Sequence, residues 1–303
     1  MVRILEGLEE QKKIQTALLN CIRLIKDSFY ITPSLAVILI GNNPASLLYV
    51  ERKKQFAESV GIQIQFFHLE KEATMEQCLS LIEKLNKDSK IHGILLQLPV
   101  PDTLNANQLI QAIDPSKDVD GLHPLNTGKL VQKEDGLFPC TPQGCMHLIH
   151  LWRQNIAGLV AVVVGRSNLV GKPIATLLTH ANATVIQAHT QTKNLQEITR
   201  LADILVVAVG KAGLIKKDFI KPGACVIDVG VSKHEGKNVG DIDFKEVSTI
   251  ADAISPVPGG VGPMTISYLM LNLLKTCCAK ENITYANIMG PLIHPIDFKD
   301  SIW

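Results

Sequence analysis

The 303-residue chain carries 30 Lys and Arg against 29 Asp and Glu, a net charge of +1. That balance gives no electrostatic case for a nucleic acid partner or an anionic membrane surface, so a small molecule is the expected ligand. Hydrophobic residues make up 46% and aromatics only 5%, enough for one large domain or two ordinary ones with cores built from Leu, Ile, Val and Ala. The seven cysteines are odd in number and contain no C-x-x-C, and the nine histidines show no H-x-x-x-H spacing. A disulfide framework and a metal site are therefore not expected, and reduced thiols in a cytoplasmic protein are.

Residues 1–6 turn polar too early for a signal peptide, and no apolar run reaches the length of a membrane span. A helix is predicted over 9–27, with Ile14, Leu18, Ile22 and Ile25 on one face. A buried strand over 34–41 exits through the turn Gly41-Asn42-Asn43-Pro44 into a helix over 45–60, closed by Gly61. Residues 63–68 alternate as a strand, Thr74-x-x-Gln77 is a capping box, 91–98 is a strand stopped by Pro99 and Pro101, and Asn105 opens a further helix. Residues 114–139 show no period and read as a linker and cleft wall. A helix then opens with Thr141 as N-cap and Pro142 in its first position.

A second alternating set follows, with Val-rich strands over 159–165, 184–189, 204–210 and 224–230. These are apolar throughout, as strands buried on both faces must be. A long apolar helix runs from Pro263 to about Lys280, and the tail from Glu281 has no strong pattern. The expected fold class is α/β in two lobes with a cleft between them, a favoured place for a ligand. The first lobe comprises 1–138 joined by 263–303, and the second, Rossmann-like lobe comprises 139–262.

Several residues are candidates for chemistry. Gly165-Arg166-Ser167-Asn168-Leu169-Val170-Gly171-Lys172-Pro173 lies between a strand and a helix, where a dinucleotide pyrophosphate or nothing but an ordinary turn can sit. The next strand ends in His189-Thr190-Gln191-Thr192-Lys193, without the carboxylate that would hold a ribose 2′-hydroxyl. Arg166 with small polar and basic neighbours suits a 2′-phosphate, hence NADP. Tyr49 and Lys53 are four apart on one helix face, either an acid–base pair for a flat substrate or a lysine stem packed on a ring. Gln97 stands at the carboxyl end of a strand, for a ligand or a cap. Lys117-Asp118-Val119-Asp120-Gly121 is an acidic loop or plain turn chemistry. Pro256-Val257-Pro258-Gly259-Gly260-Val261-Gly262-Pro263 interleaves stiff and permissive points, for backbone approach to a flat ligand or as a linker. Cys145 reads as helix packing and Cys140 as a candidate for the cleft wall.

Taken in order, these motifs resemble those of the bifunctional methylenetetrahydrofolate dehydrogenase/methenyltetrahydrofolate cyclohydrolase family over about residues 1–280. The resemblance rests on Pro44-Ala45-Ser46-x-x-Tyr49-Val50-x-x-Lys53, Gly93 to Pro99, Lys117 to Gly121, Pro139-Cys140-Thr141-Pro142-x-Gly144, the Gly165 turn, Lys221-Pro222-Gly223-Ala224 and Pro256 to Thr265. It implies that Lys53 is the catalytic lysine, positioned by Gln97, that Tyr49 stacks on the folate and that Asp120 grips the pterin. Leu98, Pro99, Pro258, Gly259 and Gly260 are then on the substrate side. Gly165, Arg166, Ser167, Gly171, Pro173, His189, Thr190, Gly210 and Val231 form the NADP side.

Ser255, Thr190 and Val231 stand where the family usually has Thr, Ser and often Ile. The resemblance implies oxidation of methylenetetrahydrofolate followed by hydrolysis to formyltetrahydrofolate, tetrahydrofolate derivatives as partners, and a homodimer formed through the cofactor lobe. The alternatives are a monofunctional member, a non-catalytic homologue and an unrelated Rossmann dehydrogenase, the last disfavoured by the absence of the standard glycine fingerprint.

Overall fold

A computed structural model describes residues 2–234 and 236–289. The chain opens with β1 (Arg3–Ile4) and α1 (Gly7–Phe29), then alternates β2 (Ser34–Ile40), α2 (Pro44–Ser59), β3 (Gln63–Leu69), α3 (Met75–Lys87), β4 (Gly93–Leu96) and α4 (Ala106–Ala112). Strands β3, β2 and β4 pair in parallel in that order, so the chain steps out from β2 to one side and crosses back to the other. All seven residues of β2 are buried, which is why it reads as one unbroken apolar run. Asn43 caps α2 by accepting from the amides of Ala45 and Ser46, with Pro44 in the first turn, so the helix begins one residue before the sequence reading had it. The Thr74–Gln77 capping box is present in full at the start of α3.

The stretch 114–139, read as a patternless linker, contains α5 (Pro124–Gln132). Its cap is His123, whose Nδ1 accepts from the Leu125 amide. A nine-residue helix capped by histidine lacks the usual Ser, Thr, Asp or Asn cap, and only Pro124 in its first turn marks its start. The following helix, α6 (Cys140–Trp152), is capped by Pro139 rather than Thr141. Thr141 lies inside the first turn, and its hydroxyl is drawn instead to the Thr265 hydroxyl at 2.9 Å.

The second set comprises β5 (Val160–Val164), α7 (Gly171–His180), β6 (Thr184–Ala188), α8 (Leu195–Thr199), β7 (Ile204–Val207), β8 (Cys225–Asp228), the hairpin β9 (Ser232–His234) and β10 (Lys237–Val239), α9 (Phe244–Val247) and β11 (Ala253–Ile254). A parallel sheet of order β1-β11-β8-β7-β5-β6 results. Its edge strand β1 comes from the N-terminal segment, so residues 3–4 belong to the sheet of the second lobe although the sequence reading put them in the first. Two-residue strands leave no periodic trace. From β5 the chain goes to β6 on one side and returns to β7 on the other, which opens a crevice at the carboxyl ends of β5 and β7.

The chain closes through α10 (Val261–Lys280) and the short α11 (Tyr285–Met289). Helix α10 packs on α1 and α6 and reaches α2 and β4, so it ties the two sheets together. All seven cysteines are buried and no two are bridged. Among the described residues no helix is long and apolar enough to cross a membrane, and no three His, Cys, Asp or Glu side chains cluster as a metal site would require.

Candidate active site

One cleft of about 880 Å³ runs between the carboxyl ends of the two sheets. Its first wall is set by the β2/β4 crossover. Helix α2, entered from β2, presents Tyr49 and Lys53, and the chain leaving β4 presents Gln97 and Leu98. The Lys53 ammonium donates to Gln97 Oε1 at 2.9 Å, and the Gln97 amide group donates to the Leu98 carbonyl at 2.6 Å. Each end of the glutamine side chain is therefore committed, and Gln97 holds the lysine without adding charge.

Burial pushes the Lys53 amine below the usual lysine range, opposed by the nearby Asp120 carboxylate and Cys140. Burial likewise raises the Asp120 carboxyl above the usual range, opposed by Lys53. Enclosure thus favours the neutral form of each group while their mutual attraction favours the charged ones. The buried Cys140 thiol completes this corner. It donates to the Val119 carbonyl at 3.3 Å, lies within hydrogen-bond reach of Asp120, and is held well above the ordinary thiol range by burial. It is a neutral donor in the cleft wall and not a nucleophile.

Of the two acids in the 117–121 loop, only Asp120 lines the cleft. Asp118 is buried and accepts from the His123 amide at 2.8 Å and Asn126 Nδ2 at 3.0 Å. Lys117 Nζ donates to the carbonyls of Leu85, Asn86 and Asp88 at 2.9, 2.7 and 2.8 Å, closing the C-terminal end of α3. The loop is therefore anchored through Lys117 and Asp118, the residues just before Asp120. Pro258, Gly259 and Gly260 line the cleft as expected, and the loop they form is pinned to α1 by the Leu8 amide donating to the Gly259 carbonyl at 3.0 Å. Pro99 is not in the cleft lining. It follows Leu98 through a cis peptide, and Leu98 is the residue that faces the space.

The second wall carries Leu169, Val170, Val229 and Val231. Of the residues expected on the cofactor side, Val231 lines this cleft. Gly165, Arg166, Ser167, Gly171, Pro173, His189, Thr190 and Gly210 lie outside its lining, at or just beyond the carboxyl ends of β5, β6 and β7. The six-residue spacing of the turn has a direct cause. A Cβ on Gly171 would fall 2.3 Å from the Gly165 carbonyl oxygen, and one on Gly165 would fall 2.5 Å from the Ala208 carbonyl oxygen. Both residues must be glycine for the turn to fold back on the helix start and for the β5 and β7 exits to meet.

The Ser167 hydroxyl accepts from the amides of Val170 and Gly171 at 3.1 and 3.3 Å. Arg166 is exposed and has no hydrogen bond or ion pair among the described residues, so its guanidinium is available to an anion. His189 Nδ1 accepts from the Gln191 amide at 3.2 Å, which fixes the ring beside Thr190. An open glycine cradle at a helix N-terminus with an uncommitted arginine fits a dinucleotide carrying an extra phosphate.

Sequence reasoning missed Asp228 and Asp241. Asp228 ends β8 and lines the cleft; Asp241 lies behind it, fully buried. The signal for Asp228 was the one used for Gln97, a polar residue at the carboxyl end of an apolar strand. Leu8 and Gln11 of α1 also line the cleft.

Comparison with known proteins agrees with this geometry. Residues 5–120 match the family model described as tetrahydrofolate dehydrogenase/cyclohydrolase, catalytic domain, and residues 139–281 match the NAD(P)-binding domain of the same family. The chain is 50% identical over 274 residues to the bifunctional protein FolD of Bacillus pumilus, covering 90% of this chain and 96% of that one. The crystal structure of a FolD methylenetetrahydrofolate dehydrogenase/cyclohydrolase from Campylobacter jejuni superposes with a TM-score of 0.90 at 43% identity, covering 92% and 99% of the two chains. A Trypanosoma brucei dehydrogenase-cyclohydrolase solved with NADP and an inhibitor gives 0.87 at 34%, covering 91% and 97%. The chain belongs to the tetrahydrofolate dehydrogenase/cyclohydrolase family.

Proposed function

We propose that this cleft oxidises 5,10-methylenetetrahydrofolate to 5,10-methenyltetrahydrofolate with NADP and hydrolyses that product to 10-formyltetrahydrofolate. The observation that carries the reading is the Lys53–Gln97 hydrogen bond beside Asp120, on a wall that faces the nucleotide-type turn across one cleft. NADP, when bound, supplies the hydride acceptor. The chain's own residues then have separable tasks. Asp120 accepts from the amino and ring N–H groups of the pterin, and the Tyr49 ring stacks on the folate. The loop through Pro258, Gly259 and Gly260 closes the folate side with backbone alone.

Hydride loss requires positioning rather than a base, because it leaves a cation on the bridging carbon. Hydrolysis does require proton movement. Water adds to the amidinium carbon and Lys53 takes one of its protons. The hydroxyl so formed then loses its proton to become the formyl carbonyl as the bond from that carbon to N5 breaks and N5 takes up a proton, leaving the formyl group on N10. Gln97 keeps Lys53 aimed through both steps.

Arg166, with His189 and Thr190, selects the 2′-phosphate. Gly165, Ser167, Gly171, Pro173 and Gly210 shape the dinucleotide groove, and Val231 faces its nicotinamide end. The folate lobe is 1–138 joined by 263–303, and the cofactor lobe is 139–262. The family pattern further implies a cytoplasmic homodimer paired through the cofactor lobe. Its native mass is expected to be twice that of the chain.

The test is an absorbance assay of methylenetetrahydrofolate oxidation with NADP and with NAD, on parent and Arg166→Ala. Charge-assisted hydrogen bonds to the 2′-phosphate are worth roughly 1.5–3 kcal/mol, so the parent is expected to favour NADP by about ten- to a hundredfold in kcat/KM. Thr190 adds a methyl where the family usually has Ser, which puts the value at the lower end. Arg166→Ala brings NADP down towards NAD and leaves NAD nearly unchanged. A parent that prefers NAD contradicts the phosphate pocket, and one that oxidises with neither cofactor contradicts the function.

A further inference from the structure

Two buried carboxylates, Asp228 in the cofactor wall and Asp241 behind it, have no lysine or arginine hydrogen-bonded to them among the described residues. Asp228 accepts from the amides of Asp241 at 3.0 Å and Ile242 at 3.1 Å, and also from the Gly230 backbone. Asp241 accepts from the amides of Val209, Gly210 and Lys211 at 2.7, 3.0 and 2.6 Å. The Asp228 amide in turn donates to the Ser255 hydroxyl at 2.8 Å, where the Pro-Gly loop begins. The two side chains therefore collect the exits of β7 and β8 and the segment at 241–242, and the Asp228 backbone ties in the root of the folate-side loop.

Glycine makes the approach possible. A Cβ on Gly240 would fall 1.8 Å from Asp228 Oδ2, and one on Gly230 would fall 2.1 Å from the Asp241 carboxylate. Among the described residues every hydrogen bond to either carboxylate comes from a backbone N–H, a setting that an acceptor-only group satisfies and an amide does not. Burying two acids side by side is expensive. Burial and the neighbouring Asp241 both push the Asp228 carboxyl upward, to about 7, against its three N–H partners. An apolar pair would fill the same volume at less cost, but it would leave the six amides unpaired and the loops free to shift.

We propose that Asp228 and Asp241 form the positioning pair of the hydride-transfer half of the cleft, fixing through backbone N–H groups the loops at 209–211 and 229–231 against which the nicotinamide end of the cofactor rests, and taking no part in hydrolysis. This rests on the proposed function above. Asp228 ends β8 of the six-stranded sheet and Asp241 holds the exit of its neighbour β7, whereas Lys53, Gln97 and Asp120 are set by the three-stranded sheet, so the two halves of the cleft are separately anchored.

The test is Asp241→Asn, a near-isosteric change at a residue that does not itself line the cleft. It turns an acceptor into a donor facing the amides of 209–211. The KM for NADP in the dehydrogenase assay is expected to rise by about tenfold or more, while kcat/KM for hydrolysis of methenyltetrahydrofolate, measured without cofactor, stays within about twofold of the parent. An equal fall in both activities, or no change in either, overturns the proposal. If the variant does not fold, hydrogen exchange on the cofactor-free parent decides. The amides of 209–211 are expected to exchange at least ~100-fold more slowly than exposed loop amides, and exchange at free-loop rates overturns it. A parent that hydrolyses methenyltetrahydrofolate but oxidises nothing with NADP or NAD defeats the proposed function itself, a result distinct from either arm.

Discussion

Lys53 sits where its charged form is disfavoured and its direction is fixed. Burial pulls its amine below the normal lysine range, and Gln97 takes one of its N–H bonds at 2.9 Å. A lysine in that state exchanges a proton closer to neutrality than a solvated one does, which hydrolysis requires and hydride transfer does not. Lys53→Met keeps the length of the side chain and removes the titrating group. It is expected to retain the parent circular dichroism spectrum while cyclohydrolase activity falls by ~100-fold or more, the scale of a positioned acid–base group. Hydrolysis at the parent rate would reduce Lys53 to a packing residue.

At this scale the site was legible where a local rule applied. The i, i+4 spacing put Tyr49 and Lys53 on one helix face, and the strand end singled out Gln97. What composition and spacing could not give was the tie between Lys53 and Gln97, because it crosses from α2 to the β4 exit, a contact made only by the sheet topology. Asp118 and Asp120 look alike in the sequence. Their separate fates depend on which one meets the buried Asn126 and which one meets the cleft.

Among the elements, α10 carries more of the site than its apolar sequence suggests. Asn272 interrupts the helix's buried face, and its Nδ2 donates to the carbonyls of Val119 and Phe138 at 2.8 and 2.9 Å. Those carbonyls belong to the two chain segments on either side of the cleft corner, one leading into Asp120 and the other into Cys140. The same amide lies 3.5 Å from Cys140 Sγ. Read as sequence, residue 272 is one polar position in an apolar helix, and nothing local says what it holds.

Asn272→Leu keeps the branched shape but removes one donor from each of two buried carbonyls, which retain only Cys140 Sγ at 3.3 Å and Gln143 Nε2 at 2.8 Å. At about 0.5–1.5 kcal/mol per hydrogen bond, the urea unfolding free energy is expected to drop by roughly 1–3 kcal/mol. Because the loosened segments flank Asp120, the KM for the folate substrate should rise more than the KM for NADP. A variant as stable as the parent would show that the carbonyls are satisfied by other means. The same limit explains α5 and β1. A helix capped by histidine and a two-residue strand each depend on a partner elsewhere, Pro115 and Asp118 for the α5 residue Asn126 and β11 for β1, rather than on their own pattern.

For the whole molecule, the balance of buried titrating groups sets how stability responds to pH. His92, His147, His150 and His180 all have imidazoles pulled below the ordinary histidine value of 6.5, in each case first by burial. His147 is typical. It bridges Glu10 of α1 and Tyr268 of α10 at 3.2 and 3.1 Å, and the nearby Glu10 only partly offsets its desolvation. Below pH 6.5 the unfolded chain takes up a proton at each of these positions before the folded one does, so these four make stability fall as pH falls.

Asp228 and Asp120 act in the opposite sense. Their folded carboxyls are raised above the unfolded value near 3.8, so acidification relieves their burial. Glu10 and Asp203 are lowered and respond only at more acidic pH, below their unfolded values near 4.5 and 3.8. Each group exchanges at most one proton, and between pH 6.5 and about 5 four imidazoles stand against two carboxyls. The urea midpoint is therefore expected to be lower at pH 5.5 than at pH 7.5, with a net uptake of protons on unfolding in that interval. A midpoint that rises on acidification would mean that the two buried acids, and not the four histidines, dominate the electrostatics of the fold.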